Sequence, residues 1–252
     1  MKSKKLTIAA TLALNATSCI YINGPLLEEI LNIHADDKSR LAIQTGDKHE
    51  VIFRSLKEGE ADLRTLAENE NLEEAWIYSK GDKTGNEFWF EVGEEQSLSS
   101  VRVNPTPFYL APAVSEIISG SAEWDFNVRM YHIHPASAVK AELGSLDDTK
   151  EKFAAKPSCS DFKAHQSIKD HLTKNIPSVQ LQDSVVIHSK IKYTYGIDES
   201  FFYEVPDEDR ERYLDVMCRK ARRAVYECGK LECISEAFAS LGFRVTYEEF
   251  DS

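Results

Sequence analysis

Met130-Tyr131-His132-Ile133-His134-Pro135, followed downstream by Pro157-Ser158-Cys159-Ser160-Asp161, is the part of this chain that decides its reading. The first stretch closes an apolar run of strand character. Successive side chains of a strand point to opposite faces, so His132 and His134 share one side while Tyr131 and Ile133 take the other. In the second stretch Ser158 or Ser160 suits the N-cap of a helix over 161–174. Asp161, at that helix start, would complete two nitrogens and one oxygen around a single cation. Three protein ligands and one open position is the pattern of a catalytic zinc site rather than a structural one.

Around these stretches the chain mixes strands and helices. Apolar runs at 41–43 and 51–53 flank a turn, and Leu63, Leu66 and Ala67 form a helical stripe within 58–72. Residues 74–78 and 88–92 read as a strand pair across a glycine-containing turn. A short strand at 101–103 and a helix over 112–118 precede the histidine strand at 127–134. Residues 136–156 are polar and charged, and read as an inserted loop or mobile helix over the site. Strands at 185–187 and 193–195, helices over 206–228 and 231–241, and a last strand at 243–247 complete the chain. The pattern predicts a mixed α/β fold, with a mixed sheet flanked by helices over 39–205 and a C-terminal helical extension over 206–252.

A chain of 252 residues can bury one sizeable core plus an accessory segment, and 42% apolar residues indicate a folded protein. The net charge of -12 argues against nucleic acid or an anionic membrane as the main partner. The N-terminus is basic at Lys2, Lys4 and Lys5, then uncharged over 6–18. That shape predicts a signal peptide over 1–18 and export to the periplasm or beyond; Cys19 offers a lipid anchor to the membrane. A cytoplasmic protein with a buried N-terminal element is the alternative. A segment over 19–38, with a short helix at 25–33, leads into the main domain. The other cysteines, Cys159, Cys218, Cys228 and Cys233, are an even number, compatible with two bridges or none. Cys218 and Cys228 lie on one predicted helix and cannot bridge each other.

The spacing His132-Ile133-His134-Pro135 with Pro157-Ser158-Cys159-Ser160-Asp161 resembles the JAMM/MPN family of zinc metalloproteases, over roughly residues 39–200. That family's signature is an upstream Glu, then His-x-His-Pro, then Ser-x-x-Asp. The resemblance implies a helix-flanked mixed sheet with cytidine-deaminase-like layering. It also implies Zn²⁺ held by His132, His134 and Asp161, and cleavage of a peptide, isopeptide or related amide bond in a peptide or protein substrate. Glu74 would be the general base and Ser158 the donor to the oxyanion. Glu74 follows the helix near Leu72 and has Gly81 at the place of the second family glycine. Glu73, Glu91 and Glu116 are its rivals. Two features depart from the family pattern: Ile133 between the histidines, and the long connection from Pro135 to Pro157, which suits a substrate lid.

Other readings stay open at this level. The chain could be a JAMM-like scaffold or binding module without catalysis. His165, one turn after Asp161, reads as a surface histidine or as a partner to a metal ligand. Cys159 reads as a buried structural thiol in preference to a nucleophile. The run Arg219-Lys220-Ala221-Arg222-Arg223 reads as the solvated face of a helix. His34, His49, His171 and His188 show no arrangement. An amidohydrolase-type barrel is set aside because too little chain follows His134 to build one.

Overall fold

A computed structural model describes residues 40–250, except 46, 95, 98–99, 106–107, 110, 113, 116–122, 144–146, 177 and 203–204; for 40–50 it describes the backbone alone. The predicted signal at 1–18, Cys19, the helix at 25–33 and Glu116 lie outside the described residues. So does most of the helix expected over 112–118.

Eight strands form one sheet: β1 (Arg40–Thr45), β2 (Asp47–Ile52), β3 (Ala75–Gly81), β4 (Glu87–Glu91), β7 (Phe126–Ile133), β8 (Val179–His188), β9 (Ile191–Ile197) and β10 (Phe243–Glu249). Their order is β1-β2-β4-β3-β7-β8-β9-β10. Every neighbouring pair is antiparallel except β7 and β8, which run parallel. A parallel pair needs a crossover, and residues 134–178 supply it. Two short strands, β5 (Gly93–Glu94) and β6 (Arg102–Val103), pair separately. The mixed α/β expectation therefore holds, with a mostly antiparallel sheet.

Helices cover both faces. α1 (Leu56–Asn69) starts at Ser55, whose hydroxyl accepts from the Glu58 amide while the Glu58 carboxylate accepts from the Ser55 amide. Such a capping box is worth on the order of 1 kcal/mol. Leu63 and Ala67 of α1 pack on Trp76, Tyr78, Trp89, Tyr131 and Ile133, which fill one face of the sheet. Gly59 allows this approach, since a Cβ there would overlap the buried Trp89 ring.

The opposite face carries α4 (Cys159–Asn175), whose Ile168 and Leu172 meet Phe126, Val128 and Met130. Phe162 of the same helix packs with Tyr193, Tyr195 and the C-terminal helices α5 (Arg210–Cys228) and α6 (Glu232–Ala239). Residues 206–250 thus add two helices and the edge strand β10 to the same core.

Of the two readings for residues 136–156, inserted loop or helix, the described residues follow the helical one. They form α2 (Ala136–Leu143) and α3 (Asp148–Ala154), and α3 docks through the buried Glu151. One Glu151 oxygen accepts from Lys190 Nζ at 2.8 Å and the other lies 3.6 Å from the buried His188 Nε2. Sequence pattern gave no arrangement for His188 because its partners come from a distant helix and a tight turn.

The four described cysteines make two bridges, Cys159 to Cys218 and Cys228 to Cys233. Cys159 is therefore neither a nucleophile nor a free thiol. Its bridge joins the start of α4 to the middle of α5 across 59 residues of sequence. Closing a loop of that size restricts the unfolded chain by about 4 kcal/mol on the chain-entropy model. A Cys159→Ser, Cys218→Ser variant is expected to lose roughly that much stability in urea unfolding; an unchanged midpoint would show that the bridge does not restrain the unfolded chain.

Candidate metal centre

β7 delivers the two histidines to the α4 side of the sheet. His132 pairs across to Ala75 in β3 and to Val186 in β8, which fixes its height and face. His134 follows the last strand residue, and its amide donates to the Ile187 carbonyl at 2.9 Å, so it keeps the strand direction. The Nε2 atoms of His132 and His134 lie 3.2 Å apart.

The crossover brings Asp161 onto them. Asp161 Oδ1 lies 3.4 Å from His132 Nε2, and Oδ2 lies 3.9 Å from His134 Nε2. One donor atom from each of the three residues falls within 4.8 Å of the others, and the group can hold a metal ion. Each ligand is oriented by a second contact. His134 Nδ1 sits 3.1 Å from the Ala155 carbonyl, which can only accept, so Nδ1 carries the proton and Nε2 keeps its lone pair for a metal. Asp161 Oδ2 accepts from the Ser158 amide at 2.6 Å, while Ser158 Oγ accepts from the Asp161 amide at 3.3 Å. The predicted cap and the predicted ligand are the same two residues, and α4 places its positive end at the carboxylate.

Electrostatics follow from burial and proximity. Burial by itself would raise the Asp161 pKa, but the His132 and His134 imidazoles and the Ser158 amide hold its carboxyl well below the usual carboxylate range. Burial alone would lower His132, and the Asp161 carboxylate outweighs it and raises the imidazole. For His134 burial and the neighbouring His132 win, and its pKa falls to about 4. His134 thus stays neutral, the state a ligand needs.

Among the described residues, the glutamate in this cleft is Glu73. Its Oε1 lies 4.0 Å from His134 Nε2, and its side chain lines the same cavity of about 450 Å³ as His132, His134, Ser158 and Asp161. Glu74, the residue the sequence favoured, does not reach it. The Glu74 carboxylate accepts from the Trp76 indole at 3.1 Å on the α1 side of the sheet. The physical reason is strand parity: Glu73 falls in step with Ala75, which stands opposite His132, and Glu74 falls in step with Trp76. Glu91 stands opposite Trp76 in β4 and is likewise turned from the cleft.

His165 is a second correction. It is buried, not on the surface, and Nδ1 lies 2.8 Å from Ser184 Oγ in β8. Its place on the Phe162, Ile168, Leu172 stripe of α4 was a signal in the sequence. His171 bonds Tyr109 away from the cleft. Within the run 219–223, Arg219, Lys220 and Arg223 are exposed as expected, Ala221 is buried, and Arg222 lines the cavity.

Buried His188 gives a pH prediction. Burial outweighs the Glu151 carboxylate, whose charge Lys190 already meets, and pushes the His188 pKa down from 6.5 to about 4. A folded-state pKa below the unfolded one means that the stability is fully present above about pH 6.5 and is lost as pH falls towards 4. The loss is at most about 3 kcal/mol. Urea midpoints of metal-free protein at pH 7 and 4.5 are expected to differ less in His188→Gln than in the wild type. Equal differences would place the titration elsewhere.

No family model and no curated protein matches this sequence. No described helix is long and apolar enough to cross a membrane.

Proposed function

We propose that this protein is a zinc-dependent hydrolase of the JAMM/MPN type that cleaves a peptide, isopeptide or related amide bond. The observation that carries the reading is one cleft holding His132, His134 and Asp161 together with the Glu73 carboxylate. Zinc bonds of about 2.0–2.1 Å place tetrahedral ligand atoms roughly 3.3 Å apart. The separations of 3.2 Å between the histidines and 3.4 Å from His132 to Asp161 are close to that spacing, and the third, 3.9 Å from His134 to Asp161, is longer. The order of elements supports it too: helix, glutamate, strand, His-x-His-Pro strand, then a helix capped by Ser-x-x-Asp.

His132, His134 and Asp161 would hold the zinc ion, which would supply an acidified water at neutral pH and polarisation of the substrate carbonyl. Glu73, with a side chain only 12% exposed, is placed to accept the proton of the attacking water and deliver it to the leaving amine. Ser158 spends its oxygen lone pair on the Asp161 amide. Its hydroxyl proton is then available to the oxyanion that develops on the substrate. The Ser160 hydroxyl lies 2.6 Å away, and the Ser158 proton is free for this role when Ser160 is the donor between the two. The two disulfides suit an oxidising compartment, in line with export.

The test is metal analysis beside peptide hydrolysis. Purified protein is expected to hold about one zinc per chain and to cut members of a quenched-fluorescence peptide set. Chelation should abolish cleavage and added zinc restore it. Failure to take up zinc on reconstitution would sink the proposal; zinc without cleavage of any member would favour a binding module.

A further inference from the structure

The wall of the cleft near α5 has the opposite charge character from its metal-ligand end. Lys156, 4% exposed, lines the cavity directly after α3. Its ammonium donates to the Phe153 carbonyl at 3.2 Å and sits 4.3 Å and 4.4 Å from the Phe153 and Tyr226 ring centres. Arg222 lines the same cavity, donates to Tyr226 Oη at 3.3 Å and lies over that ring. Among the described residues neither cation has a carboxylate within ion-pair distance. Their neighbours differ: Arg219 is paired with Asp215 and Arg223 with Glu227.

This arrangement is unusual for a chain with 42 acidic and 30 basic residues. Burying an ammonium without a counter-ion has a desolvation cost, which an incoming anion offsets. The charges of the rest of the cleft point the same way. A divalent cation at the triad would be balanced by Asp161 and Glu73, so Lys156 and Arg222 would remain as uncompensated positive charge. A guanidinium fork beside an ammonium suits a carboxylate. Cys218 lies one turn before Arg222 on α5, and its bridge to Cys159 ties that helix to the start of α4. The cationic wall and Asp161 are therefore held in one fixed relation.

We propose that Lys156 and Arg222 form a subsite for a substrate carboxylate, making the preferred substrate an acidic peptide segment or a peptide with a free C-terminus. The word substrate rests on the hydrolase reading; the anion site itself does not. The test is binding of N-acetyl-dialanine, its C-terminal amide, and N-acetyl-alanyl-glutamic acid α-amide, whose side-chain carboxylate is free, to zinc-free and zinc-loaded full-length protein by NMR titration. The free acid is expected to bind about tenfold tighter than the neutral amide in both forms. Lys156→Met and Arg222→Gln are each expected to remove most of that preference. Arg222 is only half-buried, so its variant keeps the test open should Lys156→Met fail to fold. A glutamate-bearing probe that matches the free acid shows that the site takes either carboxylate; one that binds like the amide restricts it to a C-terminus. Equal binding of acid and amide would overturn the proposal, as would a preference that needs zinc and survives Arg222→Gln. Preference in a protein that cleaves nothing would keep the subsite and reject the hydrolase.

Discussion

Glu73→Gln is expected to lower peptide hydrolysis by about a thousandfold while the protein still holds one zinc per chain. The amide keeps the size and hydrogen-bonding reach of the side chain but cannot take a proton. Glu73 lies 4.0 Å from His134 Nε2, lines the same cavity, and is not needed to complete the three-ligand set. Glu74→Gln is the control that gives the experiment its force. Its carboxylate accepts from the Trp76 indole on the other face of β3, and the amide oxygen can accept in its place. Activity should therefore change little. Equal losses in the two variants would point to damage in the β3 start rather than to a base, and loss confined to Glu74→Gln would reverse the assignment.

The second large effect concerns Asp161→Asn. Asparagine can still accept from the Ser158 amide, so the start of α4 survives. What disappears is the anionic oxygen 3.4 Å from His132 Nε2. Zinc affinity is expected to fall on the order of a hundredfold or more, and hydrolysis with it. Competition against a chromogenic chelator measures the affinity, and a thermal melt of the metal-free protein checks that the fold is kept. Unchanged affinity would remove Asp161 from the ligand set. Ser158→Ala tests the linkage from the other side: it frees the Asp161 amide and loosens α4 by about 1 kcal/mol, and a smaller loss of zinc affinity should follow.

The sequence carried the histidines because a strand's alternation puts residues two apart on one face, whatever surrounds them. It carried Ser158 and Asp161 because a capping box is a local motif, complete within four residues. The glutamate was not legible. In Ala75-Trp76-Ile77-Tyr78 every residue is buried, so neither face of β3 advertises itself as polar, and only the register with β7 separates Glu73 from Glu74. The crossover helices were hidden for another reason. Their charged residues look solvent-facing until Lys190, far along the chain, closes on Glu151. Arg222 was masked by its run of basic neighbours, although it lies one turn from Cys218 on a helix whose buried residues are Leu214, Cys218, Ala221 and Val225.

The contact between His134 and the Ala155 carbonyl has a consequence for mutational scanning. A main-chain acceptor has no side-chain identity, so no single substitution at Ala155 deletes it. A scan by point replacement would register Glu151 and Lys156, whose side chains have partners of their own, but would miss this main-chain contact. Removing one residue from that stretch is different, because it rotates the carbonyl away and leaves His134 free to turn. For the His134 contact it is the length of this segment, and not the side chain at 155, that matters.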